Sequence, residues 1–170
     1  MSAVRLVPAE PPGRAPARAR SENGPVTNLT DAVAIGRRER FLVVISTIRA
    51  DGTVQASVVN AGVLPHPGTG DDVVAFVTYG PAKLRNLRAR PQVTVTFRSG
   101  PQWVTVEGQA QIAGPDDPQP GIDHERLRLL RREVFIAAGG SHDDWAAYDK
   151  VMDQQRRAVV LVTPTRIYSN

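Results

Sequence analysis

The chain has 170 residues, 41% apolar and 22% charged, and contains no cysteine. A chain of roughly 150 residues buries about 70% of its unfolded surface, so a single domain with its own core is expected. Lack of cysteine excludes a disulfide framework, a thiolate metal site and a cysteine nucleophile. There is no run of about 20 apolar residues to span a membrane. The first residues also lack the apolar stretch of a signal peptide, which predicts a cytoplasmic protein.

Lys+Arg is 21 against 17 for Asp+Glu, a net charge of +4, and Lys83 and Lys150 are the only lysines. Genomic base composition explains an arginine excess without function; an anionic partner explains it with one, and position decides between them. Residues 1–40 hold seven arginines against four acids, so the remainder is close to neutral. A broad nucleic-acid surface is therefore not expected. Residues 1–28 read as a flexible basic tail, with Pro8, Pro11, Pro12, Pro16 and Pro25 and no aromatic residue to stack on bases.

The elements follow in order. Residues 29–40 predict a short helix capped by Thr30 or Asp31, with Val33, Ala34 and Phe41 toward the core. Residues 41–48 form a β-branched run, Asp51-Gly52 a turn, and residues 53–61 an alternating strand, which together predict a hairpin. Residues 65–72 are a loop by composition, long for a hairpin connection, and 73–79 a third strand. Residues 82–90 predict a short helix stopped by Pro91.

Strands at 92–98 and 102–112 make a second hairpin, and Gly108 within it predicts a bulge or a close backbone approach. A helix over 123–138 shows an apolar face (Leu127, Leu130, Val134) and a basic one (Arg126, Arg128, Arg131, Arg132). Ser141 with Asp144 resembles a capping box for a last helix through Trp145, Tyr148 and Met152. Residues 158–168 close the chain as a sixth strand interrupted by Pro164. Six strands in mostly hairpin order, with helices to one side, predict a mainly β fold: a small antiparallel barrel over 29–170.

The common catalytic signatures are missing. His66, His124 and His142 have no metal-ligand spacing, and neither a G-x-S-x-G elbow nor a phosphate-binding glycine motif occurs. His66, flanked by prolines, reads as a surface residue. What remains is Lys83 and Arg85, directly after a strand and at a helix start. Free N–H groups and the positive dipole end make such a start receptive to phosphate. Arg85 adds a bidentate fork, and Gly80-Pro81 lets the backbone turn close to a ligand.

Four stretches carry a resemblance: FLVVISTIRADGTVQASVV, VAFVTYGPAKLRNLRARPQVTVTF, VTVEGQAQI and DDWAAYDKVMDQQRRAVVLVTPTRIY. They resemble the pyridoxamine-5′-phosphate-oxidase-like split barrels, and within them the reductases that use the deazaflavin coenzyme F420. The likeness implies a homodimer of six-stranded antiparallel split β-barrels with a cofactor groove at each subunit interface. It places Lys83 and Arg85 at the cofactor phosphate or its acidic tail, and Gln55 and Ser57 along the flavin-like ring, with Val59 and Asn60 as neighbours. It brings Thr78 and Tyr79 to the same groove and lets Trp103 cover the ring from the other subunit. Asn86 and Glu107 are expected in structural roles, a cap and a buried or interface pair.

Close relatives carry a further basic residue where this chain has Pro81. The implied activity is hydride transfer between the deazaflavin and a small conjugated substrate, with no catalytic residue assigned; Tyr79 or a water is a candidate proton donor. The alternatives are an FMN-dependent oxidase or flavin reductase on the same scaffold, or a non-enzymatic flavin, deazaflavin or haem carrier. A compact FMN phosphate would want arginines on strands 53–61 and 73–79, which have none.

Overall fold

The computed structural model describes residues 27–170. The tail expected over 1–28 therefore lies outside the described residues, except for Thr27 and Asn28. Helix α1 (Leu29–Arg38) is followed by strands β1 (Leu42–Ile48), β2 (Val54–Pro65) and β3 (Asp72–Thr78). Helix α2 (Pro81–Ala89) then leads into β4 (Gln92–Ser99) and β5 (Gln102–Ala113). Helices α3 (His124–Ala137) and α4 (Trp145–Gln154) precede β6 (Ala158–Ser169).

The strands close into an antiparallel barrel in the order β1-β2-β3-β6-β5-β4. Alternation along each strand sorts the core. Val43 and Ile45, Val93, Val95 and Phe97, Val104 and Val106, and Val160 and Val162 fill the interior. Burying each of these side chains stabilises the fold by about 1.5–3 kcal/mol. A second cluster lies outside the wall, where Leu127, Leu130 and Val134 of α3 cover Val73, Ala75, Val159 and Leu161. Strand β3 and residues 158–162 of β6 are thus buried on both faces, which is why these stretches run almost continuously apolar.

A glycine faces the bulge, whose extra residue is Thr165 on β6. The β5–β6 register shifts between Glu107 and Gly108, and a Cβ on Gly108 would sit 2.4 Å from the Thr163 carbonyl oxygen. Pro164 faces Gly108 within an unbroken β6, so it does not interrupt the strand.

Several local expectations are corrected. The α1 cap is Asn28, whose side chain accepts from the Thr30 and Asp31 amides while Asp31 accepts from the Asn28 amide. The helix therefore starts earlier and buries Ala32 and Gly36 rather than Val33 and Ala34. The cap of α4 is Asp144, accepting from the Ala147 amide, and not Ser141. On α3 the basic face is divided: Arg131 is 2% exposed and donates to the Arg157 carbonyl and to Asp153. The 65–72 loop is compact, because β2 extends to Pro65 and His66 Nδ1 accepts from the Gly68 and Thr69 amides. His66 is half-buried, with Nε2 against Gln111 at 2.7 Å, so it is no plain surface residue.

Candidate functional site

The barrel wall is incomplete at one place. The β2–β3 ladder runs only from Ala61↔Phe76 to Pro65↔Asp72, so residues 54–60 of β2 pair with β1 alone. Strand β3 ends at Thr78, and Gly80-Pro81 turns the chain into α2, with proline in the first helical turn where no N–H is missed. The opposite edge of β2 therefore keeps backbone N–H and C=O groups that the sheet does not use.

Helix α2 closes one end of the barrel with Leu84 and Leu87, and it also buries Lys83 and Asn86. Lys83 is 7% exposed, and its Nζ lies 5.3 Å from the centroid of the Phe76 ring. It has no ion pair or side-chain hydrogen bond among the described residues. Burial alone pushes its ammonium below the usual lysine range. Asn86 Nδ2 donates to Thr47 Oγ1 at 3.1 Å and to Gln55 Oε1 at 3.0 Å. Its side chain ties α2 to the barrel and does not cap the helix. Gln55, Ser57 and Val59 are half-buried on the inner side of β2, while Val54, Ala56, Val58 and Asn60 are exposed.

A cavity of about 460 Å³ opens beside the same gap. Val59, Asn60, Thr78 and Tyr79 contribute its barrel wall, and the end of α3 with Gly139, Gly140 and α4 form the roof. Tyr79 is 56% exposed, with the Arg157 guanidinium 4.5 Å above its ring. Asn60 Nδ2 donates to the Arg40 carbonyl at 2.8 Å. Thr78 Oγ1 accepts from the Gly80 amide at 3.3 Å. Arg40 and Arg157 line this cavity, and sequence reasoning missed both. Each lies in a connection far in sequence from the helix-start motif, and no spacing links them to it.

The expected site residues fall into three places. Asn60, Thr78 and Tyr79 line the cavity; Gln55, Ser57 and Lys83 flank the inner side of the gap; Arg85 and Trp103 are apart from both. Arg85 points to solvent from α2. Trp103 stands on the far wall, edge-on to Tyr168 at 5.8 Å. There Tyr168 donates its hydroxyl to Glu107 Oε1 at 2.9 Å, a bond that raises the phenol above its ordinary range. Among the described residues no helix covers Leu42, Val54 and Val58 on β1 and β2, which are 46%, 61% and 63% exposed.

The barrel with its open seam defines a class. The chain belongs to the pyridoxamine 5′-phosphate oxidase family, whose model matches residues 29–170. Among solved structures it is similar to a conserved hypothetical protein from Mycobacterium tuberculosis, at 21% identity over 85% of this chain and 84% of that one, TM-score 0.60. It is similar to an F420 reductase at 21% identity, over 76% of this chain and 90% of that one, TM-score 0.52. A pyridoxamine 5′-phosphate oxidase-related, FMN binding protein from Nostoc punctiforme is 13% identical over 83% and 81%, TM-score 0.57. These likenesses establish the fold. Among the described residues no helix is long and apolar enough to cross a membrane.

Proposed function

We propose that the protein is an oxidoreductase that holds the deazaflavin coenzyme F420 at the β2–α2 gap of a homodimer and acts on a small conjugated substrate. One observation carries the reading: Lys83 is 7% exposed and has no counter-anion among the described residues, close to a strand edge whose hydrogen-bonding groups the sheet does not use. A largely buried lysine without a partner anion is disfavoured in its charged form, and a phosphate at a helix start relieves it. An unused strand edge suits the amide edge of a flat ring. The residues thus fit a phosphate-bearing flavin-type cofactor.

When bound, the deazaflavin supplies a hydride donor and acceptor at its ring carbon. The chain's own groups do the rest. Lys83 and the first amides of α2 neutralise the phosphate. Gln55, locked by Asn86, and Ser57 border the ring and set its orientation. On this reading Trp103 of a second copy covers the ring, since within one chain it stands apart from Lys83. The uncovered face bearing Leu42, Val54 and Val58 is the surface through which two copies would meet.

The second reading, an FMN-dependent oxidase or flavin reductase, is favoured by the same phosphate-sized site. Strands β2 and β3 bring no arginine to the gap for a compact FMN phosphate, and this supports the deazaflavin instead. A haem carrier has less support, since His66 has both ring nitrogens engaged in hydrogen bonds. The test is a fluorescence titration with F420 and with FMN, repeated on Lys83→Ala. Saturable F420 binding, weakened by the substitution, is expected. Failure of both cofactors to bind below about 100 μM, about 5.5 kcal/mol, overturns the reading.

A further inference from the structure

The cavity beside the gap carries two cations that the cofactor reading leaves unused. Arg40 and Arg157 both line it, and none of its lining residues is a carboxylate. Arg157 donates Nε to Gln155 Oε1 at 2.7 Å, and neither guanidinium is ion-paired among the described residues. Behind them the wall is apolar and aromatic, with Val59, Phe135, Tyr148 and Met152. The Arg157 guanidinium, with no ion pair among the described residues, and a second arginine lining the same largely apolar chamber match a ligand with an anionic end and a flat, unsaturated body.

The backbone reinforces this. Among the described residues, positive φ outside glycine occurs at Arg40 (53°), Phe41 (56°) and Arg156 (49°). One of these is a cavity arginine, another is its neighbour, and the third directly precedes the other cavity arginine. Such conformations cost on the order of 1 kcal/mol each and persist where surrounding bonds over-determine them. Here the Asn60 side chain bonds the Arg40 carbonyl, the Phe41 amide donates to the Gly36 carbonyl at 2.7 Å, and the Arg157 amide donates to the Met152 carbonyl at 2.9 Å. The turns that deliver the two arginines to the cavity are thus held in place, and Tyr79 supports the guanidinium of Arg157 from below.

We infer that this cavity is the substrate chamber and that the substrate is an anion: a conjugated or aromatic carboxylate, or its sulfonate or phosphate equivalent, held by Arg157 and Arg40. The inference rests on the oxidoreductase reading for the word substrate. The anion site itself does not need the cofactor.

The probe is 1-anilinonaphthalene-8-sulfonate, compared with its uncharged parent N-phenyl-1-naphthylamine, on the full chain without cofactor. One saturable sulfonate site per chain is expected. Arg157→Gln and Arg40→Gln should each weaken it by at least about tenfold while leaving the uncharged probe unchanged. Arg157→Lys, which keeps the charge, should recover part of the loss, and an unchanged unfolding midpoint separates the effect from misfolding.

Equal affinity of the glutamine variants for the sulfonate overturns the inference, as does equal loss of both probes. Competitive displacement of the sulfonate by F420 also overturns it, because the arginines would then serve the cofactor's own tail. If the sulfonate binds as expected but neither F420 nor FMN does, the cofactor reading fails and the anion site stands.

Discussion

The side-chain amide of Asn86 on α2 donates to Gln55 on β2 and to Thr47 on β1, joining the helix that carries Lys83 to the strand that keeps an unused edge. Asn86 is 4% exposed, so both bonds are sheltered from water. One buried amide therefore fixes the spacing between the two halves of the proposed cofactor site.

Replacing Asn86 by Ala leaves Thr47 and Gln55 with fewer partners in a largely dry position. The expected loss is about 1–3 kcal/mol of stability, read from chemical denaturation. Cofactor affinity should fall as well, since α2 would no longer be anchored at this point. Asn86→Asp keeps the shape and adds a negative charge on the helix that carries Lys83, and it should weaken phosphate binding further.

Lys83 gives a prediction opposite in sign. Its folded-state pKa is depressed by burial, so the unfolded chain binds its proton more tightly than the folded one. The cofactor-free protein should gain stability as pH rises from the depressed folded value toward the ordinary lysine value. Lys83→Met should raise the unfolding midpoint of the cofactor-free protein, flatten that alkaline gain and abolish cofactor binding. A lower midpoint would show that Lys83 is satisfied without a ligand.

Gly62 tests how tightly the roof sits on the barrel. A Cβ there would lie 2.3 Å from the Ala137 carbonyl carbon and 2.5 Å from its oxygen, both backbone atoms at the end of α3. Gly62→Ala should cost about 1–3 kcal/mol, measured by thermal unfolding, and should displace the end of α3 that roofs the cavity.

Acid should loosen the roof. Asp149 of α4 accepts from Arg132 and Arg128 of α3, and their guanidiniums hold its carboxyl below the usual carboxylate range. That stabilisation is present above the ordinary carboxylate pKa and disappears as pH falls through the lowered folded value. Asp149→Asn should remove about 1–3 kcal/mol at neutral pH and make the remaining stability less sensitive to acid.

The sequence made the barrel legible because its information is local. The β-branched run at 41–48, the alternation in 53–61, the Asp51-Gly52 turn and the glycine at 108 each specify their own stretch of backbone. The Lys83 helix start was legible for the same reason. Arg40 and Arg157 were not, since a cavity wall assembled from an α1–β1 turn and an α4–β6 turn leaves no spacing pattern in one chain. Arg131 misled because helical periodicity reports which face a residue occupies. It does not report that Asp153 and the Arg157 carbonyl wait there to receive a buried guanidinium.

The central claim is tested most directly by a crystal structure of the protein grown with F420. A dimer is expected, with the cofactor phosphate in hydrogen-bond reach of Lys83 Nζ, the ring along residues 54–60 of β2, and Trp103 of the second copy over it. Clear density for the cofactor away from Lys83, or a monomer that binds it with Trp103 unengaged, would contradict it.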